Sequence, residues 1–314
     1  MSLCRGRSYT SKTVSVGVCA YNEARRIRAL LESLAAQGLP PDFTLMEIIV
    51  VASGCTDKTA DIVQEHANSD SKVVLIQEPQ RRGKASAINI ILGRYRGDLL
   101  VLVNADARIM PGSLRALIET FDRNEKAQIV CGSPIPEPSF SPMVSLVEDV
   151  WWRLHNRTLD RLAALGGGNH CCDEFMAIKR GFSDSIPPNV ICDGSYFGVL
   201  GAIRGTTVQF SVDAAVIVET PSTLSGILKQ RRRNLRGHWQ VARLLGQPPR
   251  TLETLVRKGP GVAAHILASE LASRPLRTIA FLVVALPLEV LAHSLAHLDG
   301  AVNREDRPVW PMVE

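Results

Sequence analysis

The first third of the chain alternates short apolar runs with amphipathic segments. The runs TVSVGVCAY, MEIIVVA, KVVLIQ and LLVLVNAD are nearly continuous in Val, Ile and Leu, which is typical of strands buried on both faces of a sheet. Between the first two runs, the segment NEARRIRALLESLAAQG places Ile27, Leu30, Leu31 and Leu34 at helical spacing. The alternation predicts an α/β fold, with a Rossmann-like, mostly parallel sheet that carries helices on both faces.

The pattern changes after Ile129. A Pro-rich segment (SPIPEPSFSP), a Trp-rich helix (VSLVEDVWWRLHNRTLDRLAALGGG), a short strand (FMAIKR) and a strand pair (TVQFSVDAAVIVET) precede a strongly basic helix (LSGILKQRRRNLRGHWQVARLL). From about Gln247 the remainder is predicted to be helical. We therefore expect a first domain over residues 1–245, with halves at about 14–125 and 126–245. A helical, partly hydrophobic C-terminal extension is expected over 246–314.

The extension contains the apolar segment TIAFLVVALPLEVLAHSLAHL, residues 278–298. Its uncharged part, Thr278 to Leu288, is too short to cross a bilayer as a helix, because a span needs about 20 residues. Pro287 is expected to kink the helix, and Glu289 interrupts the apolar run. The segment favours a buried or membrane-surface helix over a span, and a peripheral membrane contact and a core helix both stay open.

Composition and charge describe a folded, mildly basic protein. The 314 residues are 46% hydrophobic and 21% charged, with a net charge of +5, which suits an anionic substrate, an acidic membrane surface or nucleic acid. The seven cysteines include no C-x-x-C pair, which predicts reduced thiols and a cytoplasmic location. The N-terminal MSLCRGRSYTSK has positive charge without an apolar core behind it, so it is not expected to be a signal peptide.

Polar residues follow three of the predicted strands directly. They are the turns Tyr21-Asn22-Glu23, Ser53-Gly54-Cys55 and Asn104-Ala105-Asp106. The carboxyl ends of parallel strands meet at one edge of a sheet, where ligands of such folds bind. The sequence therefore predicts one functional edge built from these turns.

Asp106 ends the most apolar of these strands, and two interpretations stay open for it. The residue is a turn or helix-capping aspartate, or its carboxylate is a ligand of a divalent metal. Asn104 lies on the same side of the extended chain and offers a neutral oxygen. One carboxylate alone holds Mg²⁺ or Mn²⁺ weakly, so a metal site here would need a bound diphosphate to complete it.

Two further residues, Lys84 and Asp193, each have a functional and a purely structural interpretation. Lys84 follows a glycine at a predicted helix start, which is typical of phosphate binding, although an exposed basic loop gives the same pattern. Asp193 lies among apolar residues and before a glycine, as a turn residue or as a general base whose pKa burial would raise.

The basic run KQRRRNLRGHW, Lys229 to Trp239, has five basic residues in eight positions. Such a run is most often a solvated helix face, and it also suits nucleic acid or anionic lipid. A third interpretation is a diphosphate clamp in which Arg233 and Gln230 share one helix face, since the planar guanidinium pairs two phosphate oxygens.

Six segments in this order resemble the family 2 glycosyltransferases, which have the GT-A fold. These segments are VSVGVCAYNEARRIRALLESL, IIVVASGCTDKTADIV, RRGKASAIN, VNADARIMPGSL, ICDGSYFGVLGAIRG and VIVETPSTLSGILKQRRRNLRG, and together they cover roughly residues 14 to 240. The fourth aligns with the family's Asp-x-Asp motif, and the last with its Gln-x-x-Arg-Trp region. Coincidence across six ordered segments is improbable, although each motif alone has many false positives. The ending RPVWPMVE after an apolar helix is similar to membrane-associated members.

The resemblance implies a metal-dependent enzyme that moves one sugar from a nucleotide-sugar, UDP-linked rather than GDP-linked, to an acceptor hydroxyl with inversion. It carries the role of metal ligand, for Mn²⁺ or Mg²⁺, to Asp106 and the role of base to Asp193. The remaining implied contacts with the nucleotide-sugar are Tyr21, Glu23, Ser53, Lys84, Asn104, Gln230 and Arg233. The apolar helix beside a basic helix leads to the hypothesis that the acceptor is lipid-linked, at the inner face of the cell membrane. A small soluble acceptor is the alternative, and nucleic acid is not expected as a partner.

Four positions depart from the family's pattern. Asn104 replaces the first Asp of Asp-x-Asp, Ala52 stands where many members have a nucleoside-contacting Asp, Cys192 replaces a Glu, and Asn234 replaces the Trp of Gln-x-x-Arg-Trp. The last departure favours transfer of a single sugar over processive synthesis.

The departures keep a second hypothesis open, a homologue that binds nucleotide-sugar without turnover. A retaining transferase of the same fold and a basic nucleic-acid-binding protein also stay open.

Overall fold

The computed structural model describes residues 12–124 and 126–302. The strands are β1 (Lys12–Ala20), β2 (Phe43–Ser53), β3 (Val73–Glu78), β4 (Leu99–Asn104), β5 (Arg108–Ile109), β6 (Ile129–Pro136), β7 (Phe175–Lys179) and β8 (Val208–Val218). The helices are α1 (Ile27–Ala35), α2 (Thr59–Ser69), α3 (Lys84–Leu92), α4 (Ser113–Arg123), α5 (Pro142–Ala164), α6 (Asp193–Ile203), α7 (Leu224–Leu245), α8 (Leu252–Lys258), α9 (Pro260–Ser273) and α10 (Pro275–Val302).

The strands form one sheet in the order β3-β2-β1-β4-β7-β6-β8-β5. Strands β3, β2, β1 and β4 are parallel, and their register sets Cys19 of β1 beside Asn104 of β4. Their carboxyl ends therefore meet at one edge, as the sequence predicts. The α/β fold class is confirmed.

The second half of the sheet is mixed. Strand β7 runs antiparallel to both β4 and β6, while β6 and β8 are parallel. The prediction that TVQFSVDAAVIVET forms a pair of strands is wrong, because this segment forms the single strand β8. The register of β8 with β6 breaks between Cys131 and Ser133, and this irregularity lets one long strand follow a bent neighbour.

Two apolar layers cover the sheet. One packs α1, α2 and α4 on one face, with Leu30 and Leu117 fully buried, and the other packs α3 and α6 on the opposite face, with Ile91 and Phe197 fully buried. Burial on both faces explains why these strands have continuous apolar sequences rather than alternating ones.

Helices α8, α9 and α10 pack against α5 and α7 through a separate apolar cluster. Trp151 of α5 meets Phe281 of α10 edge to face, with 5.8 Å between ring centroids. Glu270 of α9 is fully buried and accepts hydrogen bonds at 2.7 Å from both Arg153 and Arg157 of α5. These contacts fix the C-terminal helices beside the sheet, and the domain boundary at residue 246 stays a prediction.

Helix α10 does not end at Pro287 but continues through it to Val302. Glu289, which interrupts the apolar run in the sequence, pairs with Arg231 of α7 at 2.8 Å. The predictions for the N-terminal segment before residue 12 and for the tail RPVWPMVE lie outside the described residues.

Candidate active site

A cavity of about 730 Å³ opens at the carboxyl edge of the parallel strands and extends between α5, α7 and α10. Eight of the nine residues singled out from the sequence line it, and the ninth, Asp193, is buried beside them in contact with Lys84. The eight are Tyr21, Glu23, Ser53, Lys84, Asn104, Asp106, Gln230 and Arg233. Their convergence from strands, helices and turns far apart in the sequence makes this cavity the candidate active site.

The end of the cavity formed by β1 and β2 carries an aromatic ring and a cation. The Arg81 guanidinium lies over the Tyr21 ring, 3.9 Å from its centroid. Gly54, with a φ of +63°, brings the turn after Ser53 so close that a Cβ there would lie 2.3 Å from the backbone nitrogen of Arg81. The close approach therefore holds the Arg81 loop against the end of β2, so that Ser53 and Tyr21 face the same space.

Asp106 lies in a tight turn after β4, since the amide of Ala107 donates to the carbonyl of Asn104 at 3.2 Å. Burial raises the pKa of the Asp106 carboxyl, and the negative charge of Glu219 adds to the effect. Burial likewise raises the pKa of Glu23 to about 7, with further contributions from Asp106 and Glu219. Three carboxylates thus create a region of negative potential at this end of the cavity.

The donor set here fits a divalent metal only in part. Asp106 and Asn104 present the hard oxygen atoms that Mg²⁺ and Mn²⁺ prefer, and a cation would relieve the repulsion between Asp106 and Glu23. Within residues 12–124 and 126–302, no group of three His, Cys, Asp or Glu side chains converges at metal-binding geometry. The residues therefore fit a metal whose remaining ligands come from a bound diphosphate.

Lys84 and two carboxylates form the charged centre of the cavity. The Lys84 ammonium lies 3.2 Å from Oδ1 of Asp193 and 3.3 Å from Oδ2 of Asp173. Burial opposes the charge on Lys84, but Asp173 and Asp193 outweigh it and hold the lysine pKa above its usual value. The lysine is therefore a fixed positive charge between two acids.

The two acids differ in their surroundings. The Asp193 side chain is 4% exposed and Asp173 is 33% exposed. Burial raises the pKa of Asp193 to about 7, although Lys84 lowers it. Burial also opposes the charge of Asp173, but Lys84 and Arg233 hold the pKa of that carboxyl well below its usual range. Asp193 is thus the acid placed to exchange a proton near neutral pH, while Asp173 stays ionised.

A close helix contact brings the two acids together. Asp193 is the first residue of α6, and a Cβ on Gly194 would lie 2.3 Å from the carbonyl oxygen of Cys171. Because that glycine has no side chain, α6 packs directly on the backbone that precedes Asp173. Oδ2 of Asp193 is buried and finds no hydrogen-bond partner among the described residues, while the Asp193 and Asp173 side chains lie close enough to shift each other's pKa.

Helix α7 supplies Gln230 and Arg233 from one face. The Nε of Arg233 is buried and lacks a hydrogen-bond partner in the described part of the chain. Neighbouring arginines are occupied instead: Arg231 pairs with Glu289 at 2.8 Å, and Arg232 pairs with Asp299. The basic run is therefore largely neutralised inside the protein, which argues against the nucleic-acid alternative.

The positions that depart from the family pattern have distinct surroundings. Ala52 is 2% exposed in the core. Cys192 lines the cavity, and burial raises the pKa of its thiol above its usual value. Asn234 also lines the cavity, whereas Trp239 packs on His297 of α10 with 4.3 Å between ring centroids. Trp239 therefore joins α7 to α10 rather than replacing the missing tryptophan.

Several cavity residues were not identified from the sequence. Asp173, His155, His170 and His238 all line the cavity, and so does Trp151. The segment NHCCDE lies between the predicted Trp-rich helix and the predicted strand FMAIKR, and the sequence analysis assigns it no role. That position before a predicted strand is the signal that could have identified Asp173.

The far part of the cavity is apolar and lies beside α10. Pro275–Asp299 is long and apolar enough to cross a membrane by length and composition, with a mean hydropathy of 2.1 and 22% of its most apolar window buried. An apolar stripe on its outer face is between 53% and 82% exposed. This stripe consists of Leu276, Ile279, Val283, Leu286 and Val290. Its spacing of three and four residues makes it one continuous helix face.

Comparison with known proteins agrees with this arrangement of fold and cavity, which is that of a sugar-transferring enzyme. The sequence model of glycosyl transferase family 2 matches residues 15–186, more than half of the chain, and the chain belongs to this family.

Curated relatives are similar over part of their length. The chain is 35% identical over 127 residues to a dolichyl-phosphate beta-glucosyltransferase of Trichomonas vaginalis, which covers 38% of this chain and 39% of that protein. It is 25% identical over 232 residues to a poly-beta-1,6-N-acetyl-D-glucosamine synthase of Staphylococcus aureus, which covers 71% of this chain and 54% of that protein. The chain thus spans about half or less of the length of these relatives.

A solved structure has the same fold. A mannosyltransferase from Pyrobaculum calidifontis in complex with GDP-Man and Mn²⁺ aligns with a TM-score of 0.65 and 21% identity, over 95% of this chain and 89% of that one. The likeness supports the GT-A fold for this chain.

Proposed function

We propose that the protein transfers one sugar from a UDP-sugar to an acceptor hydroxyl with inversion, with Asp193 as the general base and a divalent metal at Asp106. The observation that carries the proposal is the Asp193 carboxyl: it is buried, its Oδ2 has no hydrogen-bond partner among the described residues, and its Oδ1 pairs with Lys84, which lines the same cavity as Asp106. A pKa of about 7 suits a base at neutral pH, because the carboxylate is then both present and able to accept a proton.

The reaction follows from these positions. Oδ2 of Asp193 accepts the proton of the acceptor hydroxyl as its oxygen attacks the anomeric carbon of the donor sugar. The bond from that carbon to the diphosphate breaks, and the diphosphate leaves with the bonding electrons. Attack on the face opposite the leaving group inverts the anomeric configuration. A retaining transferase would give the other anomer, so the configuration of the product decides between them.

The leaving diphosphate needs positive charge around it. Arg233, whose Nε is buried without a partner among the described residues, is a cation placed to donate to a phosphate oxygen. Lys84 is held between Asp173 and Asp193, and its contact with the diphosphate stays a prediction. Asp106 and Asn104 would hold the Mn²⁺ or Mg²⁺, which when bound neutralises charge on the departing diphosphate.

The remaining donor contacts are assigned by their place in the cavity. Tyr21, Ser53 and Glu23 lie at the ends of β1 and β2, where a nucleoside would sit beside the Arg81–Tyr21 pair. Gln230 shares the inner face of α7 with Arg233. We propose UDP rather than GDP as the nucleotide, and titration of both tests that choice.

We propose a lipid-linked acceptor and a location at the cytoplasmic face of a membrane. The support is the exposed apolar stripe on α10 and the apolar part of the cavity beside it. The Trichomonas relative is named for dolichyl phosphate, which is a lipid, and this agrees with the lipid part of the proposal but not with any particular head group. A small soluble acceptor would use the same base and the same donor site.

The second candidate function is binding of a nucleotide-sugar without turnover. Asn104 and Cys192 favour it, because each stands in the cavity where the family pattern has a carboxylate. Release of nucleotide only when donor and acceptor are both present decides between the two functions. The enzyme is expected to release UDP from a UDP-sugar in the presence of acceptor, and D193N is expected not to.

The same assay has a matched control. Asp184 is exposed on the surface, so D184N is expected to behave as the unsubstituted protein. Equal UDP release by D193N and D184N would refute Asp193 as the base. Nucleotide binding without release by the unsubstituted protein, with every acceptor tried, would support the binding function.

A further inference from the structure

Three histidines, of which His170 is buried and the other two are half-buried, line the cavity between the Asp193 end and the apolar end. His155 of α5 and His170 of the segment before β7 have their Nε2 atoms 3.4 Å apart, and the His170 and His238 rings lie 5.6 Å apart between centroids. Nδ1 of His170 lies 3.0 Å from Oγ of Ser195, two residues after Asp193 in α6. We call His155, His170 and His238 the histidine cluster.

Two members of the histidine cluster are held neutral. Burial lowers the pKa of His155 and, together with its two imidazole neighbours, lowers the pKa of His170 well below its usual value. A neutral imidazole has one donor and one acceptor nitrogen, which is the hydrogen-bonding pattern that a hydroxyl group matches. Nδ1 of His238 is 2.9 Å from Glu253, so the position of this ring is fixed by a carboxylate.

One cation beside the cluster is already paired. Arg231 donates to both oxygens of Glu289, at 2.8 and 3.1 Å, and its guanidinium stacks 4.3 Å from the centroid of the Trp151 ring. Glu253, which fixes His238, is a further neighbour of Arg231 at 3.9 Å. An acceptor phosphate placed against Arg231 and His238 would therefore meet the carboxylates of Glu253 and Glu289, and its desolvation would be poorly repaid.

Beyond the cluster the cavity becomes apolar. Leu154 of α5 and Ala285 and Leu286 of α10 line this part, beside the contact between Trp151 and Phe281. Phe281 and Ala285 are buried, whereas Leu286 is 60% exposed and belongs to the apolar stripe. The apolar part of the cavity, which we call the apolar arm, thus runs from the histidine cluster to the exposed face of α10.

We propose that the histidine cluster and the apolar arm form the acceptor site, and that the acceptor is a neutral amphiphile. Its head group carries hydroxyls, as in a glycolipid or an acylglycerol, and its hydrocarbon chain lies in the apolar arm. The inference rests on the proposed function, which places Asp193 at the reacting hydroxyl. It differs from a polyprenyl-phosphate acceptor, whose nucleophile is an anionic oxygen.

Two detergents with the same chain and different heads test the proposal. Octyl β-glucoside and octyl phosphate are titrated calorimetrically into the full-length protein below their critical micelle concentrations, with UDP and Mn²⁺ present. Octyl glucoside is expected to bind at least about tenfold more tightly than octyl phosphate, because hydroxyls match the imidazoles and a phosphate does not. Equal affinity, or tighter binding of octyl phosphate, would overturn the neutral head group.

Variants locate the binding within the cavity. A285W fills the apolar arm and is expected to weaken the binding of octyl glucoside about tenfold or more. A280W, on the exposed face of the same helix, is expected to leave this binding unchanged. H238F is expected to lower the affinity for octyl glucoside about tenfold and to leave the affinity for octanol unchanged. Unchanged octyl glucoside binding in both A285W and H238F would place the acceptor elsewhere.

Nucleotide titration keeps this test separate from the proposed function. Each variant is also titrated with UDP and Mn²⁺, and unchanged UDP affinity in A285W and H238F is expected, since neither residue belongs to the donor end. Failure of UDP to bind the unsubstituted protein would refute the proposed function. Normal UDP binding with preference for octyl phosphate would refute the neutral acceptor alone.

Discussion

Lys84 Nζ lies 3.2 Å from Oδ1 of Asp193, so a buried ammonium holds one oxygen of the acid while the other oxygen stays unbonded within the described structure. The ammonium lowers the pKa of Asp193, which burial alone would raise further than its value of about 7. The contact with Lys84 therefore fixes the orientation of the Asp193 carboxyl and also influences its pKa.

Replacement of Asp193 by Asn is expected to reduce sugar transfer by about a thousandfold, because general base catalysis is lost. The affinity for UDP with Mn²⁺ is expected to stay within about threefold, since Asp193 faces the acceptor side. Initial rates of UDP release and calorimetric titration measure the two quantities. A parallel loss of UDP affinity would show instead that Asp193 organises the donor site.

The pH dependence of transfer is expected to follow the ionisation of Asp193. The base is active when deprotonated, so kcat/KM should rise with pH through about 7 and then level off. K84M removes the charge that lowers the pKa of Asp193, so the rise should move upward by about one pH unit or more. K72M, at an exposed lysine outside the cavity, should keep the profile of the unsubstituted protein. An unshifted profile in folded K84M would contradict this coupling.

Replacement of Asp106 by Asn is expected to remove the metal-dependent part of nucleotide binding. UDP affinity in Mn²⁺ should fall at least about tenfold, to the value that the unsubstituted protein shows in EDTA. The exposed Asp213 of β8 supplies the control variant D213N. If D106N kept a full response to Mn²⁺, the metal would lie on other residues.

Replacement of Glu270 tests whether buried ion pairs hold α9 against α5. Its side chain is fully buried and pairs with Arg153 and Arg157, so E270Q is expected to destabilise the protein by about 3 kcal/mol. Urea unfolding measures the change, and E65Q serves as the control because Glu65 is 63% exposed in its pair with Arg28. E65Q should cost less than about 1 kcal/mol. A similarly small cost for E270Q would mean that apolar contacts alone hold α9.

The apolar stripe on α10 is expected to bind membranes. Full-length protein should float with anionic liposomes, and the double variant V283D/V290D should stay at the bottom of the gradient, because it places two carboxylates on that face. V212D is the matched control, since Val212 is 64% exposed on β8. Unsubstituted protein that stayed at the bottom would refute the membrane proposal and leave the donor-site proposals intact.

The strands and helices could be predicted because each leaves a local periodic pattern. The parallel edge followed from strand order, which is why Tyr21, Ser53 and Asp106 were found to share one cavity. Strand β8 was predicted as a pair because its polar interruption, near Asp213, resembles a turn when the neighbouring β6 is not known. The local sequence pattern therefore predicts the individual strands and helices better than it predicts which strands pair with each other.

The acceptor side could not be predicted in the same way. Asp173 and Asp193 flank Lys84 together because α6 packs on the segment before β7, and the sequence separates Lys84 from both acids by a large distance. The histidine cluster combines α5, α7 and the segment before β7, with no spacing rule between its members. Such a site depends on tertiary packing, which a single sequence does not display.

Calorimetric titration of UDP and GDP, first with Mn²⁺ and then with EDTA, tests the central claim most directly. The account predicts that UDP binds more tightly than GDP and that EDTA removes most of that affinity. Tighter binding of GDP would correct the donor class alone. Equal binding of UDP in Mn²⁺ and in EDTA would contradict a metal–diphosphate site at Asp106 and with it the proposed mechanism.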